Sequence, residues 1–292
     1  MTVPAPATAA APQNPAPGPA RRRGRRATLV IGLTLTALVV VVAALSLVWL
    51  PYPLTDISGG RLSPPSLAHP LGTDRLGRDL LSQLMVGARI ALTVGAGAVM
   101  IAAVLGTAIG LAAAFARPWL DDTLSAGLDV VIAFPVLLLA MLVVAVQGPS
   151  LGSAILAIGL AMSAVVARLT RILSRRVLQE QFVTAARTSG TRTPGIVWHH
   201  ILPNIAPTLA VALALQFGVA VLAEASLSYL GLGAPPPNAS WGRMLQEAQG
   251  TVLTAPVGAI APGVAVIVLV LGVNFLADGL RDVTDPTRRR SR

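Results

Sequence analysis

Long apolar runs constrain the fold of this chain more than any other feature. The runs lie at about 27–50, 88–116, 124–147, 151–167, 207–230 and 256–277, and most reach the roughly 20 residues that cross a bilayer as a helix. A helix also satisfies its own backbone hydrogen bonds, as hydrocarbon requires. The chain is 12% charged, whereas soluble domains usually carry about 25%. The sequence therefore predicts an all-α membrane protein with six transmembrane helices.

Positive charge in the connections predicts the orientation of these helices. The chain has arginine but no lysine, and connections rich in arginine stay in the cytoplasm. The segment 168–204 carries six arginines against one acid, Glu180, and both terminal segments are basic. The segments 51–86 and 231–255 are nearly balanced and are expected outside. Both termini are therefore predicted to be cytoplasmic.

The same reasoning divides the chain into five parts. Residues 1–26 are predicted to be a disordered basic cytoplasmic head, because they are rich in Pro, Ala and Arg. Residues 27–50 form the first transmembrane helix, since this run is too long for a cleaved signal peptide. Residues 51–86 form an extracytoplasmic segment with a short amphipathic helix, which Thr73 or Asp74 caps and which ends at Leu84. A five-helix core at 87–279, with a cytoplasmic elbow at 171–204, precedes a basic cytoplasmic tail at 280–292.

The residues offer little support for chemistry on this chain. No glycine-rich phosphate loop is present, and neither a catalytic nor a metal site is predicted. The neighbours His199 and His200 would point to different faces of a helix. Asp129 and Glu224 lie at membrane depth and are candidates for the transport pathway or its gate. Alternatively, each lies near an interface, paired with Arg or capped by a hydroxyl such as that of Ser226.

The polar stretch 181–204 predicts an elbow of two short helices. Small side chains at 184–186 allow a partner to approach closely. Gly190 can adopt a positive φ and end the first helix. Pro203 can begin the second, since its missing N–H is not needed there. The alternative is an ordinary basic loop that serves only topology.

This stretch resembles the cytoplasmic signature of ABC importer permeases, which reads EAA, three residues, Gly, nine residues, and then I-x-LP. Ala185, Ala186, Gly190, Leu202 and Pro203 match it, whereas Thr184 replaces Glu and His200 replaces Ile. The peptide-importer branch is similar in its AAR, G and HILPN elements. Further similar stretches lie at 69–74, 77–79, 87–89, 133–135, 223–233 and 278–282. The resemblance covers about 69–286 and indicates the dipeptide/oligopeptide/nickel permeases, specifically the C-type subunit of dipeptide importers.

The resemblance implies a type I ABC importer transmembrane fold in the bacterial inner membrane, and a permease for dipeptides or short oligopeptides. It implies as partners a second homologous permease, two ATP-binding subunits that hold ATP and Mg, and an extracytoplasmic substrate-binding protein. No cofactor is expected on this chain, and no nucleic acid as partner. Asp74, Arg78 and Asp79 are expected to face the binding protein. The residues expected to couple to the ATPases are Val183, Thr184, Ala185, Ala186, Arg187, Gly190, Leu202 and Pro203.

Three alternatives remain open from the sequence. The same architecture could import nickel or another small nutrient, because the selective sites would lie mostly in the binding protein. A secondary transporter driven by ion gradients would have discontinuous helices or inverted repeats, with acids near the midplane. Asp129 and Glu224 fit that class, although no repeat is evident. A membrane scaffold without a transport role is the third alternative.

Overall fold

The computed structural model of the chain describes the backbone of residues 19–284 and the side chains of residues 28–281. Its regular structure is helical apart from one isolated β-bridge between Thr73 and Asp79. A π-helical turn, Val197–Ile201, precedes α8, and a 3-10 turn, Gln249–Thr251, follows α9. The helices are α1 Pro19–Val48, α2 Leu80–Phe115, α3 Pro118–Ala133, α4 Val136–Gln147, α5 Leu151–Leu178, α6 Gln181–Thr188, α7 Thr193–Ile196, α8 Leu202–Tyr229, α9 Trp241–Ala248 and α10 Val257–Thr284.

The part of the chain that the structure describes contains five or six candidate membrane-crossing segments. Five are helices long and apolar enough to cross a bilayer, among them the continuous helix Thr193–Tyr229. The sixth candidate consists of α3 and α4 together, which are bent by 90° at the break between them. The predicted all-α fold is therefore confirmed, with five to six candidate spans, but the apolar run 124–147 does not form the single helix that was predicted.

Pro135 explains the break in the third span. A proline disfavours helical backbone in the residue before it, and Phe134 is extended, with φ −84° and ψ 135°. α3 also begins at Pro118, earlier than predicted. Asp121 and Asp122 therefore lie in the first turns of a helix, where acidic residues interact favourably with the helix dipole.

Both ends of the described chain are more helical than predicted. α1 begins at Pro19, so residues 19–26 are helical although the prediction made them disordered. Arginine is a good helix former and can extend a neighbouring helix. α10 likewise continues to Thr284, into the predicted tail. Residues 1–18 and 285–292 lie outside the described part, and so do the predictions for them.

The segment 51–86 contains no separate amphipathic helix, contrary to prediction. Gly77 has φ +85°, a conformation that interrupts an α-helix. Asp79 instead caps α2, and its carboxylate accepts a hydrogen bond from the Ser82 backbone N–H at 2.7 Å. Residues 80–86 are therefore the first turns of α2, which the prediction began at 88.

Close packing of α2 on α5 forms the centre of the molecule. α5 continues to Leu178, beyond the predicted end of its span at 167. Glycines allow the contact, since a Cβ on Gly106 would lie 2.6 Å from the Val166 Cβ, and small residues permit such approach in membranes. The ends of α2 and α5, at Phe115 and Leu178, meet the start of α8 at one end of the bundle. That end carries α6 and is called the elbow end below.

Candidate functional site

The elbow begins with α6 and turns at Gly190. Gly190 has φ +82°, and two hydrogen bonds close the turn. The Gly190 N–H donates to the Arg187 carbonyl, and the Thr191 N–H donates to the Ala186 carbonyl, both at 3.0 Å. This pair of bonds is the Schellman motif that ends many helices at glycine. The structure thus agrees with the prediction that Gly190 takes a positive φ and ends the first helix.

The second helix of the elbow begins ten residues earlier than predicted, at Thr193. Pro194, not Pro203, stands in its first turn, where the missing N–H has no intrahelical partner to lose. The helix then continues without a break through the π-turn to Tyr229. Pro203 lies two residues after the π-turn, in the first turn of α8, and it cannot donate the backbone hydrogen bond that an uninterrupted α-helix would need there.

A buried cluster of aliphatic side chains, the anchor cluster, fixes the elbow to the bundle. Val183 of α6 is 0% exposed and packs with three buried isoleucines of the second elbow helix: Ile196, Ile201 and Ile205. Partly buried residues of α2, α5 and α8 surround them: Leu111, Phe115, Leu173, Val177, Leu178 and Leu202. Of the eight residues predicted to couple to ATPases, Val183 and Leu202 therefore face the protein interior.

The other predicted coupling residues lie on the outer surface of the elbow. Ala186 is partly buried, and the rest are exposed: Thr184, Ala185, Arg187, Gly190 and Pro203. Two aromatic residues that the sequence analysis did not select are also exposed on the elbow. Phe182 is 43% exposed, with its ring 5.9 Å from that of His200, and Trp198 is 69% exposed. The sequence signal that could have identified them is the presence of large aromatic residues in an otherwise basic, polar stretch. These residues together are called the elbow surface.

Ion pairs join α3 to α5 near the elbow end. The buried carboxylate of Asp121 accepts from Arg171 Nε at 2.5 Å and Nη2 at 2.7 Å, and Arg175 Nη2 lies 2.6 Å away. Asp129 lies 3.2 Å from Arg168, and both of these side chains are more than half exposed. Arginines that the sequence analysis used only to orient the chain thus also hold α3 in place.

Glu224 lies deep in the protein at the end opposite the elbow. It is 2% exposed and accepts a hydrogen bond from Ser228 Oγ at 2.7 Å. Ser226, which the sequence analysis considered as its cap, donates instead to the Leu222 carbonyl at 2.8 Å. α9 packs over this part of α8, because Gly242 lies against the backbone of Ala225.

Asp74, Arg78 and Asp79 belong to a polar network that holds the 51–79 segment. Arg78 bridges Asp74, at 2.6 Å from Nε, and Glu247 of α9, at 2.6 Å from Nη2. Asp79 caps α2 and lies 3.0 Å from His69 Nδ1. Both aspartates are at least nine-tenths buried, so their oxygens are directed at this network.

No group of three or more His, Asp or Glu residues in the described part of the chain is arranged to hold a metal ion. His199 and His200 have different neighbours: His199 Nδ1 lies 3.0 Å from the Gly195 carbonyl, while the His200 ring faces Phe182. The two histidines therefore do not form a shared site.

Comparison with known proteins gives one family match and a consistent set of relatives. Residues 106–290 match the family described as binding-protein-dependent transport system inner membrane component. The dipeptide transport system permease protein DppC of Alkalihalophilus pseudofirmus is 41% identical, over 77% of this chain and 74% of its own length. The glutathione transport system permease protein GsiD of Pectobacterium atrosepticum is 39% identical, over 76% and 74%. A putative peptide transport system permease protein of Brucella suis is 40% identical, over 77% and 76%.

A solved structure is similar in fold. It is a crystal structure of an amino acid ABC transporter with histidines, and its chain superposes with a TM-score of 0.54 at 19% identity. The match covers 69% of this chain and 94% of the other. The two chains therefore share their fold.

Proposed function

The chain belongs to the family of binding-protein-dependent transport system inner membrane components, and on this premise we propose that it imports dipeptides or short oligopeptides as the permease subunit of an ATP-driven transporter. The observation that carries the proposal is the elbow. Its signature residues form an outer surface, and a buried cluster behind them joins three long helices. Relatives of about 40% identity named for dipeptides, glutathione and peptides support the substrate class.

We propose that the elbow lies in the cytoplasm of a bacterial cell and that the protein resides in the inner membrane. The arginine excess of 168–204 supports this side, since such segments resist translocation. The 51–79 segment and α9 then face outward. The partners are a second homologous permease, two ATP-binding subunits that hold ATP and Mg, and an extracytoplasmic substrate-binding protein.

Coupling is proposed to occur at the elbow surface. Thr184, Ala185, Ala186 and Arg187 contact an ATP-binding subunit, together with Gly190 and Pro203 at its edges. Small side chains allow close approach, and exposed Phe182 and Trp198 provide the large apolar contacts that usually dominate interface energies. Thr184 cannot make the charged contact that the Glu of the signature would make, whereas the exposed Arg187 carries positive charge, so the complementary groove is expected to be acidic.

Val183 and Leu202 are proposed to pass movement of the elbow on to the long helices, and not to contact the ATP-binding subunits themselves. α6 follows α5 after two residues and packs through Val183 on the helix that leads into α8. A displacement of α6 is therefore passed to α5 and α8 together. Alternating access needs an element that both states contact differently, and this rigidly anchored elbow is the proposed element.

The substrate pathway is proposed to run along α3 and α4. Irregular backbone at membrane depth is tolerated only inside protein or beside a water-filled cavity, and the break at Phe134 leaves that side chain 52% exposed. The second permease would cover this face and enclose the pathway. Asp129 is a proposed pathway residue on α3, half-exposed beside Arg168. Glu224 is proposed to act at the outer gate, because it precedes Ala225, where α8 contacts α9.

Reconstitution of the complete complex into proteoliposomes tests this function. We expect ATP-dependent uptake of labelled dipeptides that requires both ATP-binding subunits and the binding protein. Uptake of Ni²⁺ in place of dipeptides would contradict the substrate class. Uptake by this chain without ATPases, driven by an imposed ion gradient, would contradict the importer class altogether.

A further inference from the structure

A narrow crevice opens between the 62–75 segment and α9, at the end of the molecule opposite the elbow. Its lining includes Thr73, Arg75, Gln83, Met244, Glu247 and Thr251. The cavity volume is about 30 Å³, room for about two or three water-sized groups. A dipeptide does not fit into it, but the tip of one side chain does.

The side chains around the crevice include one guanidinium, that of Arg75, whose charge the carboxylates beside it do not neutralise. Asp74 is satisfied by Arg78 at 2.6 Å and by Gln83 Nε2 at 2.9 Å. Glu247 is satisfied by Arg78 and by Arg243, at 2.6 and 2.9 Å. Arg75 forms no ion pair with any residue that the structure describes, and its Nε–H is buried without a hydrogen-bond acceptor. A buried donor without an acceptor is unfavourable, so the site is suited to receive one from outside.

The surroundings of Arg75 fit a protein partner. Its Nη2 lies over Gly250, where any Cβ would collide with it. Exposed apolar side chains stand directly beside the crevice: Leu76 next to Arg75, and Val252 and Leu253, the latter 99% exposed, next to Thr251. A central charge with apolar neighbours resembles the core of a protein interface more than a site for a free ion.

We propose that Arg75 receives the carboxylate of an Asp or Glu side chain on the extracytoplasmic binding protein. Guanidinium Nε–H and Nη–H together can bind both carboxylate oxygens. The neighbours Asp74, Arg78 and Asp79 then form the walls of the docking site and do not themselves contact the partner. This inference rests on the proposed function, since it requires an importer served by such a protein.

The test measures the Kd of the importer's own substrate-loaded binding protein for the assembled complex in nanodiscs. Arg75→Met should weaken binding about tenfold or more, the loss expected for one partner of a desolvated charge pair. Arg75→Lys keeps the charge and should lose less. Gly250→Ala displaces the guanidinium without removing it and should weaken binding in the same direction. Arg61→Met removes an exposed arginine of the same segment and should stay within twofold of wild type.

Each other outcome has a defined meaning. Equal effects of Arg75→Met and Arg61→Met, or a Kd within twofold of wild type for Arg75→Met, would overturn the proposal. So would an unchanged Kd with impaired uptake of free peptides but not of C-terminally amidated ones, because the carboxylate would then belong to the substrate. A complex that binds its binding protein through Arg75 but imports nothing with ATP would contradict the proposed function alone.

Discussion

Truncation of Val183 distinguishes an anchor of the elbow from a contact residue. The side chain is 0% exposed within the anchor cluster. Val183→Ala removes two methyl groups, each worth about 0.8 kcal/mol of burial, and leaves a small cavity that adds to the loss. We therefore expect the free energy of local opening of the elbow to fall by about 2–3 kcal/mol.

Hydrogen exchange measures this loss directly. The protection of amides in 181–196 depends on the free energy of local opening, and about 2–3 kcal/mol corresponds to a loss of roughly 30- to 150-fold in protection. In the reconstituted complex the same variant should retain ATP-binding subunits but transport less substrate per ATP hydrolysed, because a loose elbow transmits less movement. The matched control is Thr184→Ala, at an exposed neighbour, which should change protection by less than about twofold, since surface changes usually stay within 0.5 kcal/mol.

Two results would refute this reasoning. Unchanged exchange in Val183→Ala would mean that the anchor cluster does not hold α6. Loss of ATP-binding subunits with unchanged exchange would mean that Val183 touches the partner itself, as the sequence signature suggested.

Three further predictions concern other contacts. Gly190→Ala should destabilise the end of α6 by about 1–2 kcal/mol, the cost of a left-handed backbone for a residue with Cβ, detected as faster exchange at 186–191. Asp121→Asn should lower the stability of the protein in detergent by about 2 kcal/mol, because Arg171 loses a charged acceptor, measured by thermal unfolding. Trp241→Phe removes the 3.0 Å hydrogen bond from Nε1 to the Leu84 carbonyl and should cost about 1 kcal/mol by the same measurement.

Each of these changes has a control of the same chemistry. Gly127→Ala alters a helical glycine with open space around it and should be neutral or slightly stabilising. Asp122→Asn and Trp119→Phe alter exposed side chains and should leave the melting temperature nearly unchanged. Equal effects in a variant and its control would show that the named contact contributes nothing specific.

Hydrophobicity predicted the broad architecture well, for a physical reason. Any segment that crosses the bilayer must be long, apolar and helical, whatever the rest of the fold. The position of Gly190 was also predictable, because a positive φ favours glycine over nearly all other residues. These properties depend on residues that are close together in the sequence, and can therefore be predicted from it.

Features that depend on tertiary packing could not be predicted from the sequence. An apolar run does not reveal the bend at Pro135, since membrane helices also tolerate proline without breaking. Pro194 and Pro203 are equally able to begin a helix, and each stands in the first turn of one, so proline alone did not show that the second helix of the elbow starts at Thr193. The burial of Val183 depends on isoleucines that follow it by thirteen or more residues. Arg171 was interpreted only as an orientation signal, because its ion pair with Asp121 forms only in the folded chain.

Uptake of a labelled dipeptide by proteoliposomes, compared between wild type and Ala185→Arg, tests the central claim most directly. Ala185 is exposed on the elbow surface, so the substitution blocks close approach of a partner without disturbing the anchor cluster. The account predicts ATP-dependent uptake in wild type, and in the variant a loss of uptake with normal folding and loss of coupling to the ATPases. Undiminished ATP-driven uptake in Ala185→Arg would contradict the assignment of the elbow as the coupling site.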